Sequence, residues 1–293
     1  MTIAPAKVAE LQPDTDIEGW FACTKKEKLT ARSGSPYLSV ELRDASGKVS
    51  ARAFRDASFL ATQFDRGDVV HITGRVESFQ GEAQINLRTI RRAENGEGPD
   101  AQEFLPAAYR DIDELDGFFE HLAAEITDPG YRAMLDALAA DGKLREGLRT
   151  APCSIGGHHA YLGGLLEHTV AVGTLARETW DLHRRLDHDL LLTAALLHDI
   201  GKTREFVLGA EITVSEPGRM LGHLELGGQI VRELAARAGG IDDERLLALL
   251  ACVLHHHGPP GGGNRFASVE AQALYRINAL DAGVKGALEG GPK

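Results

Sequence analysis

The run Leu190-Leu191-Leu192-Thr193-Ala194-Ala195-Leu196-Leu197-His198-Asp199-Ile200-Gly201-Lys202 decides how the C-terminal half of the chain folds. Its first eight residues are apolar apart from Thr193, too few to cross a bilayer but enough for a helix buried on nearly every side. Such a helix needs other helices around it. The segment then presents His198 and Asp199 just before Gly201, which reads as the C-terminal stop. Burying an unpaired Asp there would be costly, so the pair points to a polar network or a metal.

Neighbouring segments carry the same kind of intrusion. From about Tyr161, a helix has the stripe Leu165, His168, Val172, Leu175, Thr179 and Leu182, which turns His168 toward the core. The last helix has Leu274, Ile277, Asp281, Val284 and Leu288 on one stripe, placing a second carboxylate in the apolar face. Taken singly, each of these residues is explained as well or better by a buried hydrogen-bonded network. Together, His168, His198, Asp199 and Asp281 make a mixed nitrogen and oxygen set suited to a divalent metal. His223 opens a further helix, and His255-His256-His257 ends another before Gly258-Pro259. His256 is favoured as a ligand, with His257 next, because they follow Val253 by three and four residues, whereas His255 points away. The other reading of the triplet is a favourable interaction with the helix dipole.

The N-terminal half has a different period. Leu38, Val40 and Leu42 alternate with Tyr37, Ser39, Glu41 and Arg43, the pattern of a half-buried strand. Similar alternation recurs around Ile17–Thr24, Lys48–Phe54, Asp68–Val76 and Glu82–Arg88, with turns at Asp44-Ala45-Ser46-Gly47 and Gln80-Gly81. Five short strands, with a helical piece near Asp56–Phe64 between the third and fourth, fit the OB barrel, whose exposed face commonly binds single strands. Tyr37, Arg52, Phe54 and Arg88 stand where they would stack on bases or meet phosphates, and Lys25, Lys26, Lys28 and Arg32 form a local basic run. A solvated loop is the plainer account of that run, and a core role the plainer account of Phe54. A polar stretch from Arg92 to Glu103 reads as a linker. The expected division is therefore a barrel within 1–92, a linker over 93–110 and a helical domain over 111–293. Helices are expected at 111–126 and 129–141.

At 293 residues the chain is long enough for two such cores. Its formal net charge of −11 argues against a global basic field for coating nucleic acid, so a polyanion must be held locally. Cys23, Cys153 and Cys252 are odd in number and widely spaced, suggesting neither a disulfide framework nor a zinc ribbon. Met1 to Lys7 lacks the apolar run of a secretory signal. The expectation is a cytoplasmic protein with no membrane association. The sequence leaves the oligomeric state open, a homo-oligomer included.

His168, then His198-Asp199-Ile200-Gly201-Lys202, then Asp281 resembles the H...HD...D pattern of the HD superfamily of phosphohydrolases. The added His223, His256 and His257 resemble the members that hold two metals. That resemblance implies Asp199 as a bridging carboxylate, with the metal activating water for attack at phosphorus and offsetting charge on the phosphoryl oxygens. Lys202 would stabilise developing phosphate charge, a solvated lysine being the alternative. An OB domain ahead of an HD domain is similar to the YhaM family of 3'-5' exoribonucleases. The similarity includes Gly157-His158-His159-Ala160-Tyr161-Leu162-Gly163-Gly164-Leu165 running into Glu167-His168, and Glu270-Ala271 ahead of Ile277-Asn278-Ala279-Leu280-Asp281-Ala282. It implies release of nucleoside 5'-monophosphates from the 3' end of single-stranded RNA, or of DNA, with manganese as a plausible activator. His158 and His159 would bind the scissile phosphate or protonate the leaving oxygen, or else form a loop that caps the next helix. Competing readings are an HD nucleotidase or cyclic-dinucleotide phosphodiesterase with a regulatory barrel and, more distantly, a non-catalytic single-strand-binding protein.

Overall fold

The computed structural model describes residues 7–31, 34–94, 96–263 and 265–290; Arg32 of the basic run and the N-terminal residues 1–6 lie outside them. The chain divides into two compact units, Met1–Pro106 with Leu208–Ile212, and Ala107–Val207 with Thr213–Lys293.

In the first unit, strands β1 (Asp16–Thr30), β2 (Pro36–Asp44) and β3 (Gly47–Ala53) are followed by a short helix α1 (Ala57–Leu60) and strands β4 (Val69–Phe79) and β5 (Glu82–Arg92). They close into a barrel in the order β1-β2-β3-β5-β4, with β3 and β5 parallel and the other paired neighbours antiparallel. This is the OB barrel expected from the alternation. Leu38, Val40 and Leu42 point inward, joining Phe21, Ile72, Ile85 and Ile90 in the core. The Asp44 carboxylate accepts from the backbone N–H groups of Ser46 and Gly47, which folds the β2–β3 turn. At the β4–β5 turn, Gln80 and Gly81 both have positive φ, 55° and 88°, as a two-residue hairpin of right-handed twist requires. The polar stretch after β5 is anchored: Asp100 caps a 3-10 turn over Ala101–Phe104, and Phe104 and Leu105 are buried.

The second unit contains α2 (Ile112–Ala124), α3 (Pro129–Ala140), α4 (Gly142–Thr150), α5 (Gly164–Leu182), α6 (His188–Leu197) and α7 (Lys202–Glu205). After them come a two-stranded sheet of β6 (Phe206–Leu208) and β7 (Ile212–Val214), whose segment Leu208–Ile212 is counted with the first unit, then α8 (Glu216–Ala238), α9 (Asp243–Leu254) and α10 (Val269–Gly290). That small sheet is a departure from the wholly helical reading. Side-chain caps fix several starts: Asp111, Asp128, Asp141, Asp187, Ser215 and Asp242 each accept from backbone N–H groups of the first turn. Helix α6 is buried from Leu190 to Leu197, as its composition predicts.

Three local expectations change. Gly201 is not a left-handed stop: its φ of −61° is helical, and the chain continues into α7. It is a close-approach glycine, because a Cβ there would lie 2.0 Å from the carbonyl oxygen of His223. The α5 stripe leaves the core in its last turn, where Leu182 is 80% exposed. On α10, Leu274 and Ile277 are buried but Val284 and Leu288 face outward. The inward stripe there continues instead through Asn278, Asp281, Lys285 and Glu289, which bond to the histidine cluster and its surroundings.

Candidate metal centre and strand-binding face

The end of α6 delivers His198 and Asp199 into the centre of the helical unit, where both are buried. His198 Nδ1 lies 2.8 Å from the carbonyl oxygen of Ala195, and His256 Nδ1 lies 2.6 Å from that of Val253. A carbonyl only accepts, so each Nδ1 carries the proton and each Nε2 is left as a lone-pair donor. Those nitrogens converge on Asp199. Its Oδ2 is 3.3 Å from His198 Nε2 and 3.5 Å from His168 Nε2, which are themselves 3.2 Å apart. Its Oδ1 is 3.3 Å from His256 Nε2 and 3.6 Å from His223 Nε2. His257 completes this side, its Nε2 standing 3.0 Å from His223 Nε2.

The donor chemistry fits a divalent cation. Asp199 Oδ1 and His256 Nε2 are buried and have no hydrogen-bond partner, despite lying 3.3 Å from each other. Two such atoms facing one another are destabilising on their own and are satisfied together by a metal. Ligating atoms of Asp199, His223, His256 and His257 all lie within 4.8 Å of one another, as do those of His168, His198 and Asp199. Burial opposes ionisation of Asp199, yet Lys202 and His198 hold its carboxyl well below the usual range. Burial likewise lowers His198 and His256, keeping both neutral and able to ligate.

Asp281 meets His168 on the other ring edge, with Oδ2 2.6 Å from Nδ1, and forms a compact group with His159 and His168. His159 is buried, has a positive φ of 52°, and places Nε2 3.2 Å from Asp281 Oδ2. Burial works against its charge, but the Asp281 and Glu167 carboxylates outweigh that and raise its pKa. Lys202 is buried, its Nζ donating to Asp199 Oδ2 at 2.6 Å and lying 3.2 Å from Cys153 Sγ. It is neither solvated nor turned toward open space. His158 is half-buried, its ring centroid 5.2 Å from that of His168 and its Nδ1 unpartnered; burial pushes its pKa down to about 4.

Sequence reasoning gave no role to three residues beside this cluster. Asn278 Oδ1 is 3.0 Å from His168 Nε2, and Tyr161 stands 3.1 Å from His159 Nδ1 while donating to Glu167 at 2.7 Å. The spacing of three between Asn278 and Asp281 was a usable signal, since it puts both on one helix face.

On the barrel, Tyr37 and Phe54 stack with centroids 5.4 Å apart, and the Arg52 guanidinium lies 5.9 Å from the Tyr37 ring and 4.9 Å from Phe79. Phe54 is exposed, not core. Phe79 is exposed as well and was missed, because beside Gln80-Gly81 it reads as part of a turn. Lys28 is exposed and, among the described residues, has no carboxylate partner, whereas Lys25 and Lys26 are paired with Glu27 and Asp65. Arg88 stands apart from the aromatic row, bonded to Asp16 at 2.8 Å.

An OB barrel joined to a helical core of convergent histidines and carboxylates defines a class, a nucleic-acid-binding module coupled to an HD domain. The models of those two families match residues 16–93, as an OB-fold nucleic acid binding domain, and 165–283, as an HD domain. The chain is 30% identical to the 3'-5' exoribonuclease YhaM of Bacillus velezensis over 233 residues, 79% of this chain and 73% of that protein. It is 28% identical to the YhaM of Listeria welshimeri over 280 residues, 95% of this chain and 88% of that protein. This chain belongs to the YhaM family of 3'-5' exoribonucleases. Among the described residues, no helix is long and apolar enough to cross a membrane.

Proposed function

We propose that this chain is a divalent-metal-dependent hydrolase that shortens single-stranded RNA from its 3' end, releasing nucleoside 5'-monophosphates. The observation that carries the reading is Asp199, whose two carboxylate oxygens face two histidine groups. His168 and His198 would hold one ion and His223, His256 and His257 a second, with Asp199 between them. Manganese is the ion that the family resemblance favours. Bound there, the ions would supply Lewis acidity and activate water for attack at phosphorus.

The protein's own groups prepare that chemistry. Lys202 keeps Asp199 ionised and oriented, so it is a positioning residue rather than a direct partner of phosphate. Asp281, expected from the sequence as a ligand, instead meets His168 at Nδ1 and so would orient it, and His159 would orient Asp281 in turn. His158, with a free ring nitrogen and a depressed pKa, is neutral near pH 7 and suited to binding a phosphate oxygen by hydrogen bonding. On the barrel, Phe54, Tyr37, Arg52 and Phe79 offer a row of stacking surfaces for successive bases, which favours a strand over a mononucleotide as substrate.

The test is incubation of metal-stripped protein with 5'-labelled single-stranded RNA, with and without manganese, resolving the products nucleotide by nucleotide. A ladder shortening from the 3' end is expected with manganese and lost in Asp199→Ala. Activity confined to free nucleotides would favour the nucleotidase reading. Undiminished activity in Asp199→Ala would sink the metal mechanism.

A further inference from the structure

The H...HD...D resemblance gives the last ligand to a carboxylate at Asp281, but the structure sets that carboxylate behind the ring it was expected to assist. Asp281 Oδ2 lies 2.6 Å from His168 Nδ1 and 3.2 Å from His159 Nε2. The two nitrogens of an imidazole point away from each other, so a group bonded at Nδ1 stands on the far side from anything that Nε2 ligates. The Nε2 side of His168 meets a different residue of α10. Asn278, one turn before Asp281, is buried and brings Oδ1 to 3.0 Å from His168 Nε2. Which end of the amide faces the ring is fixed from behind. Asn278 Nδ2 donates to the backbone carbonyl of His256 at 3.4 Å, and turning the amide over would set its oxygen against that carbonyl, two acceptors with no proton between them.

His168 Nδ1 turns its proton toward the Asp281 carboxylate, which leaves Nε2 as a lone pair. That nitrogen faces Asn278 Oδ1 at 3.0 Å, the unprotonated Nε2 of His198 at 3.2 Å and Asp199 Oδ2 at 3.5 Å. Three electron-pair donors thus surround a fourth with no hydrogen to share, and a cation is what such a set accepts. We propose, resting on the two-ion reading of this centre, that Asn278 and not Asp281 supplies the oxygen that joins His168, His198 and Asp199 around the first ion. The amide answers both of its neighbours, giving an N–H to the His256 carbonyl and an oxygen to the ion. A carboxylate at 278 would bring more charge to the cation but would face the His256 carbonyl with no proton to give. Because an amide oxygen is neutral, Asp199 is left as the one carboxylate among the ligands, shared by both ions.

Calorimetric titration of manganese into the chelator-stripped full chain, with melting measured in chelator and in manganese, tests this. Asn278→Asp should melt below the wild type in chelator, because it adds a carboxylate beside Asp199 and loses the bond to His256. It should nevertheless bind manganese about tenfold more tightly, since ligand charge sets affinity at such sites. Asn278→Leu, which keeps the volume and removes the oxygen, should weaken one of the two binding events and spare the other. Asp281→Asn, which still offers an acceptor to His168 Nδ1, should retain both events. Binding weakened by Asn278→Asp as much as by Asn278→Leu would reduce Asn278 to a structural hydrogen bond and overturn the proposal. So would loss of one event in Asp281→Asn with binding unchanged in Asn278→Leu. A wild type that takes up no manganese overturns the two-ion reading itself, and this assignment with it, before any variant is compared.

Discussion

Asp199 is a carboxylate taken almost wholly out of water, and its nearest full positive charge is the Lys202 ammonium, 2.6 Å from Oδ2. Removing one member of such a pair leaves an uncompensated buried charge, at a cost of about 3–5 kcal/mol. Lys202→Met should therefore lower the melting temperature of the metal-free protein by on the order of 10 °C. Manganese should recover part of that loss, since a cation among Asp199, His223 and His256 restores compensation; calorimetry with chelator and with manganese measures both. Unchanged melting in chelator would show that Lys202 does not support the carboxylate. His198 and Asp199 were legible in the sequence because, although each alone has a bland explanation, they join His168 and Asp281 in one set of core-facing polar residues. The contact of Lys202 was not, because its spacing to Asp199 does not say which way a lysine turns at a helix junction. Phe79 was hidden for a related reason: its partner Arg52 comes from another strand, and only closure of the barrel brings the two together.

Elements were legible where period and burial agree, and misread where a helix serves two masters. The alternation in β2 gave the barrel face correctly, and the apolar run gave α6. In α10 the apolar residues at 284 and 288 continue the periodicity of Leu274 and Ile277, but the histidine and carboxylate cluster occupies the inside at that level and the helix turns polar residues toward it. Gly201 was misread in another way. The sequence shows a glycine after a helix, which suggests a left-handed cap, while the structure needs its missing side chain for close passage of α7 against α8. A Cβ at 201 would lie 2.0 Å from His223 O and 2.5 Å from Gly227 N, both backbone atoms that cannot step aside. Gly201→Ala should thus destabilise the helical unit by roughly 3 kcal/mol, at the upper end for overpacking. It should also displace His223, so that plasma emission analysis after dialysis against manganese finds about one ion, against the two that the proposed site predicts for the wild type. Wild-type stability and stoichiometry in this variant would show that α7 and α8 have slack the structure does not suggest.

For the whole molecule, the net charge of −11 sets how nucleic acid can be held. Many of the barrel's cations are already paired: Lys48 with Glu41, Arg75 with Asp14, Arg88 with Asp16, and Lys26 with Asp65. Arg52 lies between the Tyr37 and Phe79 rings, and Lys28 is likewise without a carboxylate partner among the described residues. Binding led by stacking releases few counterions, whereas binding along a basic track releases many. With about two phosphates neutralised by the barrel, the logarithm of the binding constant for single-stranded RNA should fall with the logarithm of salt concentration at a slope near −1.4. The measurement is fluorescence anisotropy with Asp199→Ala protein and no metal, so that neither cleavage nor a bound ion contributes. Phe79→Ala should weaken binding by about 1–3 kcal/mol while leaving the slope in place, because it removes a stacking surface and no charge. A slope steeper than about −4 would mean that several further cations meet phosphate, and that the acidic balance of the chain conceals a basic track outside the aromatic row.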